Sequence, residues 1–121
     1  MTKKILIVDD NDLIVEVMSY ILSNNGYVVS TLNSGEDVIN QVNNTQPDLL
    51  ILDALLPGMD GREICKLLKN NKSTHQLPVI ICSATDDVAK TLDQTGAPDD
   101  FLSKPFDITA LLDKVENQLA A

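Results

Sequence analysis

The chain has 121 residues, 44% of them hydrophobic, which is close to the commonest size for one domain and enough apolar matter to fill one core without cross-links. Eighteen acidic against nine basic residues give a net charge of −9, which argues against direct contact with nucleic acid or an anionic membrane. No apolar run approaches the roughly 18 residues of a membrane span, and Met1-Thr2-Lys3-Lys4 leads into too short an apolar stretch for a signal peptide, so a cytoplasmic location is expected.

In chain order, Ile5 to Val8 is a continuous apolar run, as a strand covered on both faces requires. Leu13, Ile14, Val17, Met18, Ile21 and Leu22 then recur at helical spacing, with Asn24-Asn25-Gly26 as the stop. Tyr27 to Leu32 predicts a second strand, and Ser34 a cap for a helix carrying Val38, Ile39 and Val42. A third strand, Leu49 to Leu52, follows Pro47. Asp60 with Glu63 three residues on predicts a capped helix bearing Ile64, Leu67 and Leu68. After a polar loop containing His75, read as solvent-exposed, Val79 to Cys82 is the fourth strand. A short helix over 87–95 closed by Gly96, a strand from Phe101 to Lys104 and a last helix capped by Asp107 complete the chain. Cys65 and Cys82 lie among apolar neighbours outside any C-x-x-C pair and are expected to be buried free thiols. The rhythm is (βα)5 in a single domain, 1–121: a doubly wound α/β fold with a five-stranded parallel sheet. No output module is expected within the chain.

Ligands on doubly wound sheets sit outside the carboxyl ends of the strands. Those ends carry Asp9 and Asp10, Asp53, Ser83 and Lys104. Three carboxylates brought together repel one another unless a cation sits among them, and an all-oxygen site without His or Cys suits Mg²⁺. Asp53 can act as a nucleophile: a carboxylate attacking a phosphoryl group needs positioning and charge neutralisation more than covalent help. The turn that follows is expected to leave its carboxylate at the surface and the Leu55 carbonyl free to meet a metal. Lys104 supplies a point charge for a phosphoryl oxygen, and Ser83 a hydroxyl. Taken singly, these residues have plainer readings: Asp9 or Asp10 as a solvated helix cap, Ser83 as a turn residue, Lys104 as an exposed strand end.

Asp9-Asp10 after Lys-Lys-Ile-Leu-Ile-Val, the run from Asp53 through Pro57-Gly58-Met59-Asp60-Gly61, Ser83-Ala84, and Asp100-Phe101-Leu102-Ser103-Lys104-Pro105 together resemble response-regulator receiver domains over nearly the whole chain. The resemblance implies a flavodoxin-like strand order 2-1-3-4-5. It also implies Asp53 as phosphoacceptor, Asp10 and the Leu55 carbonyl as direct Mg²⁺ ligands, and Asp9 as a ligand acting largely through water. Ser83 becomes the switch hydroxyl, Phe101 the switch aromatic, Lys104 the phosphate partner, and Lys104-Pro105 a cis bond. The implied partners are a sensor histidine kinase or a histidine phosphotransfer protein upstream and a protein target downstream, met by the face of the fourth helix, fifth strand and fifth helix. Two departures weaken that last point: Pro98 is an added residue within Gly96-Ala97-Pro98-Asp99-Asp100, and the stretch from Ser83 to Gly96 is short for the family.

Other readings fit less. A haloacid-dehalogenase-type phosphatase needs an acid two residues after its nucleophile, where Leu55 stands. An FMN carrier would set phosphate against Asp9, Asp10 and Asp12, and 3% aromatic residues leave little to sandwich a flavin. A phosphorylation-independent interaction module leaves the acidic set unexplained, while a receiver cut from a longer hybrid kinase or transcription factor would share the chemistry and differ in output. The domain is therefore not expected to be an enzyme on other molecules; it would catalyse its own phosphorylation and dephosphorylation. Leu55, two after Asp53, and Thr85, two after Ser83, flank the path of the hydrolytic water and are expected to act as a lifetime gate, since neither can orient a water as a Gln does.

Overall fold

A computed structural model describes residues 2–84 and 96–120. Strands β1 (Lys4–Val8), β2 (Val28–Leu32), β3 (Leu49–Asp53), β6 (Val79–Ser83) and β7 (Asp100–Ser103) form a parallel sheet in the order β2-β1-β3-β6-β7. Counted within that sheet the order is 2-1-3-4-5, as the resemblance implies. Helices α1 (Asp12–Asn24), α2 (Val38–Thr45), α3 (Gly61–Lys69) and α4 (Ile108–Leu119) cover it, and β4 (Leu55–Leu56) and β5 (Met59–Asp60) make a small antiparallel hairpin between β3 and α3. The helix expected over 87–95, and Thr85, lie outside the described residues.

Apart from Lys4 at the start of β1 and Asp53 and Ser83 at the ends of β3 and β6, the central strands are apolar throughout because each face meets helices. Leu6, Val8, Leu50, Leu52, Val79 and Ile81 point to one face, where Val38 and Val42 of α2 and Ile64 and Leu68 of α3 pack. Ile5, Ile7, Leu49, Ile51, Ile80 and Cys82 point to the other, against Met18 and Leu22 of α1 and Leu111 and Val115 of α4. Burying each large aliphatic side chain contributes roughly 1.5–3 kcal/mol, so the two faces together, and no single contact, hold the sheet. Both cysteines are buried and free. Burial pushes the Cys65 thiol up to about 11 and that of Cys82 to about 12, which leaves them inert as nucleophiles.

One helix start differs from expectation. Helix α2 begins at Val38 with Asp37 as its cap, not after Ser34. The intervening Gly35 runs so close to the top of α3 and the hairpin that an added methyl would lie 2.8 Å from Ile64 Cδ1 and 2.9 Å from Met59 Sδ, which holds 34–37 in a turn. Asp60 caps α3 as expected, its carboxylate accepting from the Arg62 N–H, whereas Glu63 reaches Lys66 at 3.4 Å. The last helix is capped by Asp107 through the Ala110 N–H.

Candidate functional site

Strand register builds the site. Val8 pairs with Leu52, Asp53 with Cys82 and Ser83 with Ser103, so Asp9, Asp53, Ser83 and Lys104 all emerge at the carboxyl edge of the sheet. Ligand oxygens of Asp9, Asp10 and Asp53 lie within 4.8 Å of one another. The Lys104 ammonium sits between two of them, 2.9 Å from Asp9 Oδ2 and 3.3 Å from Asp53 Oδ1. The Lys104-Pro105 bond is cis.

Asp9 is no solvated cap: it is 2% exposed, and its Oδ1 accepts from the Asn11 N–H at 2.9 Å. The cap of α1 is Asn11, which accepts from the Leu13 and Ile14 N–H groups. Asparagine is a strong N-cap residue immediately ahead of the helical pattern, and that signal would have found it. Asp10 is exposed. Asp53, expected at the surface, is only 7% exposed, because the chain doubles back as the β4–β5 hairpin and not as an open turn. The Leu55 N–H donates to Asp53 Oδ1 at 3.3 Å, and the Leu55 side chain stands 65% exposed beside it.

Burial makes the Asp53 carboxyl harder to ionise, and the Asp9 charge adds to this, while Lys104 and the Leu55 N–H pull the other way; the net shift is upward. For Lys104, burial alone would favour the neutral amine, but the hydrogen bond to Asp9 and the charges of Asp53 and Asp9 outweigh it, and the ammonium is held more firmly than usual. Three carboxylates against one ammonium leave an excess of two negative charges. The oxygen-only donor set, that excess and the upward shift of Asp53 all fit a hard divalent cation.

Ser83 is buried on β6, and its carbonyl accepts from the Lys104 N–H at 2.8 Å. Phe101 is partly buried against the α2/α3 face of the core. The Lys114 ammonium lies 5.3 Å from its ring centroid and 3.2 Å from Asp100 Oδ1, a contact invisible in sequence because it joins α4 to β7. His75 is exposed on its loop, Nδ1 2.9 Å from the Lys72 carbonyl oxygen.

Fold and pocket define a flavodoxin-like α/β domain with an acidic, lysine-bridged site at the strand ends. The chain belongs to the response regulator receiver domain family, which it matches over residues 5–116, and it is accordingly a receiver domain of the two-component type. It is 39% identical over 107 residues to the alkaline phosphatase synthesis transcriptional regulatory protein PhoP of Bacillus subtilis, an alignment covering 88% of this chain and 44% of that protein. The chain thus spans less than half the length of this relative. A crystal structure described as that of a response regulator from Chloroflexus aurantiacus superposes with a TM-score of 0.91 at 36% identity, covering 100% of both chains. The receiver domain of a Pseudomonas aeruginosa sensor histidine kinase, with a magnesium ion coordinated in its active-site cleft, shares the fold with a TM-score of 0.87 at 22% identity over 100% of each chain.

Proposed function

We propose that Asp53 is the phosphoacceptor of this receiver, taking a phosphoryl group from a phosphohistidine of a sensor kinase or a histidine phosphotransfer protein. The observation that carries the reading is the juxtaposition of a buried Asp53 with Asp9, Asp10 and Lys104 at one sheet edge. An Asp53 carboxylate oxygen forms the new O–P bond as the donor N–P bond breaks, and the leaving nitrogen keeps the electron pair and takes up a proton. Mg²⁺ held by Asp10, Asp53 and the Leu55 carbonyl, with Asp9 acting through water, would neutralise charge on the phosphoryl oxygens. Both Asp9 oxygens already accept bonds from the protein, which supports its role at one remove. Lys104, firmly charged, turns from Asp53 towards a phosphoryl oxygen, and the Ser83 hydroxyl takes another. Phe101 follows Ser83 and alters the surface of β7 and α4, where, together with the segment 87–95, the downstream target docks.

The proposed setting is cytoplasmic, with contacts to proteins and not directly to nucleic acid or membrane, as the net charge of −9 favours. Among the described residues no helix is long and apolar enough to cross a membrane. The length of the Bacillus subtilis relative favours a second reading of the output, in which the same pocket governs further domains of a longer regulator. The pocket chemistry is the same in both. Acetyl phosphate with Mg²⁺ is expected to add one phosphoryl group, seen by intact mass, and Asp53→Asn to take up none; unchanged uptake by the variant would remove Asp53 from its role.

A further inference from the structure

Gly61 stands where the chain, returning from the β4–β5 hairpin, crosses the end of β3. A methyl group on it would lie 2.0 Å from the Asp53 carbonyl oxygen, 3.0 Å from the Asp53 carbonyl carbon and 3.2 Å from Ala54 Cα. All three are backbone atoms of the strand end, so no side-chain rotation relieves the overlap. Glycine is not required there for conformation: the described glycines with positive φ are Gly26, Gly58 and Gly96. Nor is it required for helix formation, since Gly61 is the first residue of α3 and glycine is a poor helix former. Close approach alone accounts for it.

The contact is locked from both sides. The Gly61 N–H donates to the Ala54 carbonyl and the Ala54 N–H to the Cys82 carbonyl, each at 2.9 Å, so the peptides that follow Asp53 are held between α3 and β6. The next N–H, that of Leu55, is the one that reaches Asp53 Oδ1. We infer that Gly61 is a positioning residue for Asp53: the first turn of α3 is the stop against which the end of β3 rests, and it sets where the Asp53 carboxylate and the Leu55 backbone stand relative to Asp9 and Lys104. The inference deepens the phosphoacceptor reading and rests on it for its kinetic consequence.

Gly61→Ala and Gly58→Ala test it as a pair. Gly58 has φ +69° with nothing within 4 Å of an added methyl, so its substitution strains the same hairpin without pushing on Asp53. Each is compared with the parent well below its melting temperature. The measurements are the rate of phosphoryl uptake from acetyl phosphate at saturating Mg²⁺ and, in Mg²⁺-free protein, the amide resonance of Leu55. Gly61→Ala is expected to slow uptake by about tenfold or more, since ångström-scale misplacement costs up to about 100-fold, and to shift the Leu55 amide. Gly58→Ala should do neither. The parent's rate and Leu55 resonance in Gly61→Ala, or equal slowing in Gly58→Ala, would overturn the inference. Should Gly61→Ala fail to fold, Asp60→Ala frees the first turn of α3 without adding an atom at the crossing. A smaller slowing with a shifted Leu55 amide is then expected, and parent-like behaviour overturns the inference. A parent that takes up no phosphoryl group would defeat the phosphoacceptor reading instead, and the Leu55 amide would still decide the role of Gly61.

Discussion

The two edges of the sheet differ in kind. At the amino edge, a cavity of about 460 Å³ lies between the end of α2 and the loop before β6, lined by groups such as Asn43, Gln46, Thr74 and Gln76. At the carboxyl edge the cavity beside Asp9 is smaller, about 300 Å³. Yet among the described residues it is the carboxyl edge that buries unbalanced charge: Asp9 and Asp53 are buried there and share one lysine, whereas at the amino edge the withdrawn Lys69 is matched by Asp99 alone. Also at the amino edge, the carboxylate of Asp48 is spent on the Lys4 N–H and ties the start of β1 to that of β3. Volume therefore does not mark the site in this molecule; buried, unbalanced charge does. The sharpest way to break the comparison is by substitution at each edge. Asn43→Ala should leave phosphoryl uptake at the parental rate, while Asp53→Asn abolishes it.

Mg²⁺ should separate the edges next. By mass action, a cation at 100 times its dissociation constant stabilises by about 2.7 kcal/mol, so a melting temperature raised by several degrees is expected. Asp10→Ala should stabilise the metal-free protein, since an exposed charge leaves a repelling group of three, and should abolish the Mg²⁺ shift. Asn43→Ala should keep it. A full shift in Asp10→Ala would place the cation elsewhere.

A smaller effect concerns lifetime. Leu55 stands 65% exposed next to Asp53 and offers no group to orient a water, so the phosphorylated form is expected to decay slowly, over minutes or longer. Leu55→Asn should speed the decay while leaving Mg²⁺ binding through the backbone intact, and each tenfold change corresponds to about 1.4 kcal/mol of barrier. Equal decay constants for parent and variant, followed by mass spectrometry at saturating Mg²⁺, would refute the gate.

The elements and the acidic strand ends were legible because they rest on local pattern. Leu49 to Leu52 reads as a buried strand whatever its neighbours, and an Asp directly after such a run must emerge at the edge. Strand order was not so derived: several runs of similar apolar character could pair in several ways, and the order came from resemblance. Long-range packing set what was missed. The burial of Asp53, the late start of α2 above Gly35 and the crossing at Gly61 all depend on the hairpin folding back onto α3, where the relevant distances join residues that no periodicity connects. Asn11 is the opposite case, a local cap hidden by the more conspicuous acids beside it.

The smallest expected effect lies at the rim, on the residue that starts the helix pressing on Asp53. Asp60 holds Arg62 through its side chain at 2.8 Å and accepts from the Arg62 N–H at 2.9 Å. The guanidinium is the main reason its carboxyl is lowered below the usual value of 3.8; partial burial opposes it, and the N–H bond assists. Because the side chain remains 35% exposed, solvent screening trims the benefit, and Asp60→Ala should cost only about 0.5–1 kcal/mol, the lower part of the range for a lost cap. The sign with pH follows from the direction of the shift. A carboxyl lowered on folding contributes stability that is complete above its unfolded value near 3.8 and is lost as pH falls through the folded value. Urea unfolding of parent and variant should therefore show a constant gap from neutrality down to about pH 5 that narrows below 3.8, with added salt shrinking it at neutral pH. A gap that held its size through acid would mean that Asp60 stabilises α3 by its shape and hydrogen bonds alone, without its charge.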